Sequence, residues 1–236
     1  MASFVPPPEG LSAEQLEVLC EKAYASVDIL LANTKSDVNA DGNAWNAVLE
    51  RNDIQLKVFN SETRDSSLKR FKAIALLSDI TPQQLIAFIG DREHRKTWDR
   101  NIFDLQTVDL ATDERGAVAV LRSCTKKVGP IAGRDFVDAT VVRTLADGSV
   151  VNCGTGLEVR DTFGLFPPTK QFVRGLNLAG TGWHIETEPS INGVKVSYVI
   201  QTDLRGWFLP IIINQAIAGS YVSFFEDLRS ALAKRS

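Results

Sequence analysis

Residues 207–234, WFLPIIINQAIAGSYVSFFEDLRSALAK, constrain the chain more than any other stretch. Pro210 suits a first helical turn, where a missing N–H is no loss, and only Gly219 interrupts the pattern beyond it. Leu209, Ile213, Ile217, Ser220, Phe224 and Leu228 step by three or four residues and form one stripe. The front half is apolar almost all round, through Ile211, Ile212, Ile213, Ala216, Ile217 and Ala218, whereas the second half is amphipathic. A helix so apolar at its front needs cover on more than one side. One cover is the body of the domain. The other is a partner helix, a membrane surface or a bound apolar ligand, with a fully buried core helix as the plain alternative.

The body that receives this helix reads as β-rich. Residues 103–108, 117–124, 135–143, 149–159, 172–188 and 194–202 are extended and β-branched, with Asp147-Gly148 and Asn192-Gly193 as two-residue hairpin turns. Consecutive strands joined by tight turns make an antiparallel meander. Upstream, Ser12-Ala13-Glu14-Gln15 is a capping-box signature, and Leu16, Leu19, Cys20, Ala23, Val27, Leu30 and Leu31 follow at helical spacing, which predicts a helix over 13–32. A polar loop follows at 33–43, then short strands near 45–50, 54–59 and 68–77. Thr81-Pro82-Gln83-Gln84 opens a short helix to residue 90. The fold class is therefore α+β: one domain over 11–236 behind a disordered tail, 1–10. An apolar helix packed into a curved sheet can enclose a cavity, and such cavities are common ligand sites.

Composition removes several functions. A net charge of −3 argues against non-specific nucleic-acid binding, which needs a basic excess. Cys20, Cys124 and Cys153 are widely spaced with no CxxC, so neither a zinc ribbon nor a disulfide framework is indicated. Two histidines, His94 and His184, make a His-rich metal site a poor expectation, and no cofactor is implied. The N-terminus lacks the basic and apolar regions of a signal peptide, and no run of about eighteen apolar residues appears. The chain reads as cytosolic.

Catalytic signals are poor: there is no P-loop, HExxH or GxSxG. Gly154-Thr155-Gly156 and Gly180-Thr181-Gly182 read as strand bends or bulges rather than a dinucleotide loop. His184 could pair with an acid as a base; the bland reading is a histidine on a half-exposed strand. The mixed run Arg92-Glu93-His94-Arg95-Lys96 reads as a solvated helix end, with contact to anionic headgroups as the alternative. Lys126 and Lys127 precede an apolar tip, Val128-Gly129-Pro130-Ile131-Ala132, and a basic collar under an apolar tip suits transient contact with a membrane interface. Strand alternation puts Val120, Arg122 and Cys124 on one face. If Arg122 is buried there it needs hydrogen bonds, from a ligand hydroxyl, a water or Asp138.

Several separate motifs occur in one order: Gly133-Arg134-Asp135-Phe136-Val137-Asp138, Asp147-Gly148, Phe172-Val173-Arg174-Gly175, Gly182-Trp183, and Gln201-Thr202-Asp203-Leu204-Arg205-Gly206-Trp207. Ile213-Asn214-Gln215 and Phe224 with Leu228-Arg229 continue them, and Trp45 and Trp98-Asp99 fit more loosely. Together they resemble the steroidogenic-acute-regulatory-protein-related lipid-transfer (START) family, and most of all its short, single-domain, cytosolic sterol carriers. The resemblance implies a helix-grip fold, a curved antiparallel sheet closed over by the C-terminal helix, with one lipid per cavity. It makes residues 126–133 the gate loop beside that helix. It also puts Arg122, or its neighbour, and Thr140 at the positions where steroidogenic members carry a buried acid–base pair.

The expected function is non-enzymatic lipid binding and transfer. The expected cavity wall is Val120, Arg122, Cys124, Asp138 and Thr140 from the strands and Ile213, Ile217, Ser220, Tyr221 and Phe224 from the helix. The expected gate and membrane contact is Lys126, Lys127, Val128, Pro130, Ile131 and Phe208. Sterol is the first ligand; phospholipid, ceramide, bile acid or carotenoid are the alternatives. A monomer meeting anionic membranes transiently is the expected state. A hydrolase or cyclase using His184, or a lipid-sensing adaptor, are the competing functions.

Overall fold

The first helix follows from its local signals. Ser12 Oγ accepts from the Gln15 N–H, and the Gln15 side chain accepts from the Ser12 N–H, closing the expected capping box of α1 (Ala13–Thr34). Such a cap stabilises a helix start by about 0.5–2 kcal/mol. The computed structural model describes residues 10–64, 68–127, 129, 131–206 and 210–235. After α1 come β1 (Asn46–Arg51), β2 (Leu56–Ser61), β3 (Arg70–Ser78), α2 (Pro82–Gly90) and α3 (Arg92–Trp98). The long strands follow: β4 (Ile102–Asp113), β5 (Gly116–Thr125), β6 (Arg134–Thr144) and β7 (Val150–Gly156). Short β8 (Val173–Arg174) and β9 (Leu176–Asn177) precede β10 (Thr181–Glu188), β11 (Gly193–Ile200) and β12 (Thr202–Asp203), and α4 (Pro210–Ala233) ends the fold.

The strands form a curved sheet in the order β1-β2-β3-β11-β10-β7-β6-β5-β4, with neighbours antiparallel. β8 joins β6 in parallel, and β9 pairs with β12 apart from the main sheet. The fold is α+β, as its sequence implied. Three local readings differ. Segment 172–188 is two short strands and then β10, because Gly175 and Gly180 are pressed against Phe136 and Ile29, leaving no room for a side chain. The Asn192-Gly193 connection is a single 3-10 turn, Pro189–Ile191, closed by Asn192 at φ 49°. Residues 92–96 belong to a helix of their own, α3, capped by Asp91.

The sheet is covered on both faces. Leu19, Ala23, Val27 and Leu30 of α1 pack on Val118, Val120, Val137, Ala139 and Val151. On the other face, Tyr221, Phe224, Phe225 and Leu228 of α4 meet Phe71, Ala73, Trp183 and Ile185, with Leu85 and Phe88 of α2 alongside. Burying each large apolar side chain contributes about 1.5–3 kcal/mol. The rear of α4 is also tied by polar contacts. Arg100 holds Asp227 through its Nε at 2.8 Å, and the Asn101 amide donates to Ser223 Oγ at 2.9 Å. The Tyr221 hydroxyl donates to the carbonyls of Phe71 and Tyr198.

Candidate functional site: a cavity between sheet and terminal helix

A cavity of about 280 Å³ lies between the α4 face of the sheet and the helix. Its walls follow from strand alternation. Leu121, Ser123 and Thr125 of β5 and Phe136, Asp138 and Thr140 of β6 point inward, and Leu121 stands opposite Asp138 and Ser123 opposite Phe136. Asn152 and Gly154 of β7, Thr181 and Trp183 of β10 and Tyr198 and Ile200 of β11 continue the wall. From α4 the lining residues are Ala216, Ile217, Ser220 and Phe224. Gly154 of β7 is pressed against β6, and Gly182 of β10 against β7. A Cβ on Gly154 would lie 2.3 Å from the Ala139 carbonyl oxygen, and one on Gly182 2.3 Å from that of Asn152, so the bend of the wall requires glycine there.

The lining is apolar with a few placed polar groups. Asp138 is 7 % exposed and accepts from the Asn177 amide at 3.0 and 3.2 Å. Burial pushes its carboxyl up to about 7, against the opposing pull of the Asn177 hydrogen bond and the Arg174 charge. Tyr198 stacks on Trp183, ring centroids 3.6 Å apart, and burial pushes its phenol up to about 12, so it stays a neutral donor. Half-buried Arg95 pairs with buried Asp99, Nε to Oδ2 3.0 Å, with the guanidinium over the Phe224 ring. At the mouth, Arg134 donates to the carbonyls of Ala132, Leu204 and Arg205, joining the 126–133 loop to the segment that enters α4.

The family model described as "START domain" matches residues 30–235. The chain belongs to the START domain family. It is similar to mouse StAR-related lipid transfer protein 5, 28% identical over 199 residues that cover 82% of this chain and 88% of the relative. It is similar to human StAR-related lipid transfer protein 6 at 23% over 198 residues, covering 82% and 84%. The solved structure of human StAR-related lipid transfer protein 5 superposes with a TM-score of 0.78 at 21% identity, over 92% of this chain and 98% of that one. That of human STARD10 gives 0.70 at 18%, over 88% and 79%. The fold is shared with both solved structures.

Within this START domain the expected site residues divide. Asp138, Thr140, Ile217, Ser220, Phe224, Lys126 and Ile131 line the cavity. Val120, Arg122 and Cys124 share a face, as alternation required, but it is the opposite one. Val120 packs under α1, Cys124 is buried on that side, and Arg122 donates to Asp135 Oδ2 at 3.1 Å and to Gln106 at 3.3 Å. Arg122 is thus no cavity anchor, and its partner is Asp135 rather than Asp138. Although burial works to raise it, the Asp135 carboxyl is held below the usual range by Arg174 and Arg122. Tyr221 is turned from the cavity into the core by its two hydrogen bonds, and Ile213 packs against the core cluster, neither lining the cavity. Lys127 is exposed; Val128, Pro130 and Phe208 lie outside the described residues.

His184 is fully buried, not half-exposed. It faces α1, with Nδ1 3.0 Å from Thr34 Oγ1 and Nε2 3.3 Å from Ser149 Oγ, and burial lowers its pKa. It is not part of the cavity wall, so it cannot serve as a base there. Sequence reasoning did not place Arg95, Asp99, Asn152, Asn177 or Tyr198 at the cavity. Only the first two carried a signal: an arginine four residues before an aspartate on a short helix, the spacing of an ion pair.

Proposed function

We propose that this protein carries one neutral, hydroxylated lipid of sterol type and exchanges it at membranes, as a carrier and not an enzyme. The observation that carries the ligand class is Asp138, a buried carboxyl with a raised pKa facing an otherwise apolar cavity. Near pH 7 such a group can donate to or accept from a hydroxyl. A phosphate or carboxylate headgroup would instead need a guanidinium or ammonium partner. Among the described lining residues, Arg95 is committed to Asp99, Arg134 to three carbonyls, and Lys126 stands at the mouth. This disfavours phospholipids and bile acids.

Exchange needs a wall that moves. The rear of α4 is pinned by Asp227, Ser223 and Tyr221, which supports opening at its front beside the 126–133 loop. Unpaired Cys20, Cys124 and Cys153 support a reducing, cytoplasmic setting, and among the described residues no helix is long and apolar enough to cross a membrane. The names of the relatives, lipid transfer proteins, support the same reading.

The test is a titration of a fluorescent sterol and its 3-ester into wild type, Asp138→Leu and Arg122→Leu. Loss of a hydrogen bond to an ionisable group costs about 1.5–3 kcal/mol. Asp138→Leu is therefore expected to weaken the free sterol at least about tenfold more than the ester. Arg122→Leu, on the other face, is expected to leave the ratio of the two unchanged. Equal loss for both ligands in Asp138→Leu would remove the anchor.

A further inference from the structure

The gate end of the sheet carries apolar surface that the loop itself does not account for. Ile211 is 61 % exposed and Phe103 51 %, the two most exposed large apolar side chains among the described residues, and Val173 is 41 % exposed. Phe103 and Val173 flank the two ends of the 126–133 loop, and Ile211 lies in the first turn of α4. Phe103 lies two residues past Asn101, whose carbonyl accepts from the Lys126 N–H at 2.9 Å. Its ring meets Phe172, centroids 5.5 Å apart, and Phe172 lies against Gly133, where a Cβ would come within 3.1 Å of the ring. Val173 donates its N–H to the Gly133 carbonyl at 3.2 Å. Ile211 opens α4, just after the segment whose carbonyls Arg134 holds.

The charge around these residues is positive. Lys126, Lys127 and Lys170 are exposed. Behind Phe172, Arg122 and Arg174 share the single carboxylate of Asp135, leaving one cationic charge in excess. The nearby acids share their partners, Asp104 with Glu93 on Lys96 and Glu158 with Asp203 on Arg205, so the net positive charge here rests on the three lysines.

We propose that Phe103, Val173 and Ile211 are a fixed apolar footprint that seats the mouth of the cavity on an anionic bilayer surface, separate from the parts that open. The proposal rests on the carrier reading, since a lipid leaving this mouth must meet a membrane at this end. Separate apolar side chains within a cationic surround match the interfacial layer of an anionic membrane, where side chains insert and lysines meet headgroups. A second copy of the chain fits poorly, because a two-fold contact would bring like-charged lysines together. Phe103 and Val173 stand on strands, so their contact with lipid does not require the loop to rearrange.

The experiment measures association with phosphatidylcholine vesicles, with and without phosphatidylserine, by flotation. Sterol uptake in vesicle-free solution is measured alongside. Phe103→Glu and Ile211→Glu are each expected to reduce association with the anionic vesicles about tenfold, as the transfer of a large apolar side chain implies. Solution uptake is expected to stay at the wild-type level. Val142→Glu, an exposed valine toward the other end of β6, is expected to change neither. High salt is expected to weaken docking further. An environment-sensitive dye on Phe103→Cys is expected to shift to the blue on anionic vesicles, which checks insertion without adding a charge. Wild-type-like association in both glutamate variants, or no dye shift, overturns the footprint. If the wild type docks through Phe103 yet takes up no sterol, the carrier reading fails and the footprint stands.

Discussion

Ser220→Trp is expected to abolish sterol uptake while the chain keeps its native far-ultraviolet circular dichroism. Ser220 is on the inward stripe of α4, between Ile217 and Phe224, and its hydroxyl merely donates to the Ile217 carbonyl at 2.7 Å. Losing that bond costs little. An indole at the same site points into a space of about 280 Å³ and takes a large part of it. Overpacking typically costs about 1–3 kcal/mol where the surroundings must yield, and here the ligand is what must yield. Added to the contacts the ligand loses, affinity is expected to fall more than about a hundredfold, close to 3 kcal/mol. Titration of a fluorescent sterol reads the loss. Normal binding by a folded Ser220→Trp protein would mean that the ligand sits elsewhere.

Asp138→Asn is expected to stabilise the ligand-free protein at alkaline pH. The Asp138 carboxyl is raised from 3.8 to about 7 in the fold, so the native state binds its proton more tightly than the unfolded chain does. Between these two values the native state holds more protons, so stability falls as pH rises through the window and is flat above it. Below about pH 4 both states are protonated and the penalty is absent. The full interval corresponds to at most about 4 kcal/mol. Asparagine keeps an acceptor for Asn177 and carries no charge. At pH 8 the variant should exceed wild type by about 1–4 kcal/mol, at roughly 2–4 °C of melting temperature per kcal/mol, and the gain should vanish near pH 4. Calorimetry of both proteins from pH 4 to 8 checks this; a difference independent of pH would show that Asp138 titrates normally.

What could be read from sequence was what is local. The boxes at Ser12–Gln15 and Thr81–Gln84 are closed within four residues, and the structure makes both. The stripe through Ile217, Ser220, Phe224 and Leu228 gave the buried side of α4 because a helix has a fixed period. Alternation grouped Val120, Arg122 and Cys124 just as reliably, yet it cannot say which face of a sheet is concave. Arg122 attracted attention as the charged residue, while its neighbours Leu121 and Ser123, which do line the cavity, look ordinary in sequence. The mixed charges of 92–96 resembled a solvated end because Phe224, the ring that covers the Arg95 guanidinium, reaches it only once α3 packs against α4. Asn177 reaches Asp138 from a two-residue strand 39 positions away, a contact with no local signature.

The most direct measurement is of what the protein selects. Purified protein is incubated with vesicles holding equal amounts of sterol, sterol ester, ceramide and phosphatidylcholine, re-isolated, and extracted for mass spectrometry. The expected result is one free sterol per chain, with the ester and phosphatidylcholine near background and capture lost in Ser220→Trp. Capture dominated by phosphatidylcholine, or sterol capture that survives Ser220→Trp, would contradict a cavity built around Asp138 for a neutral hydroxylated lipid.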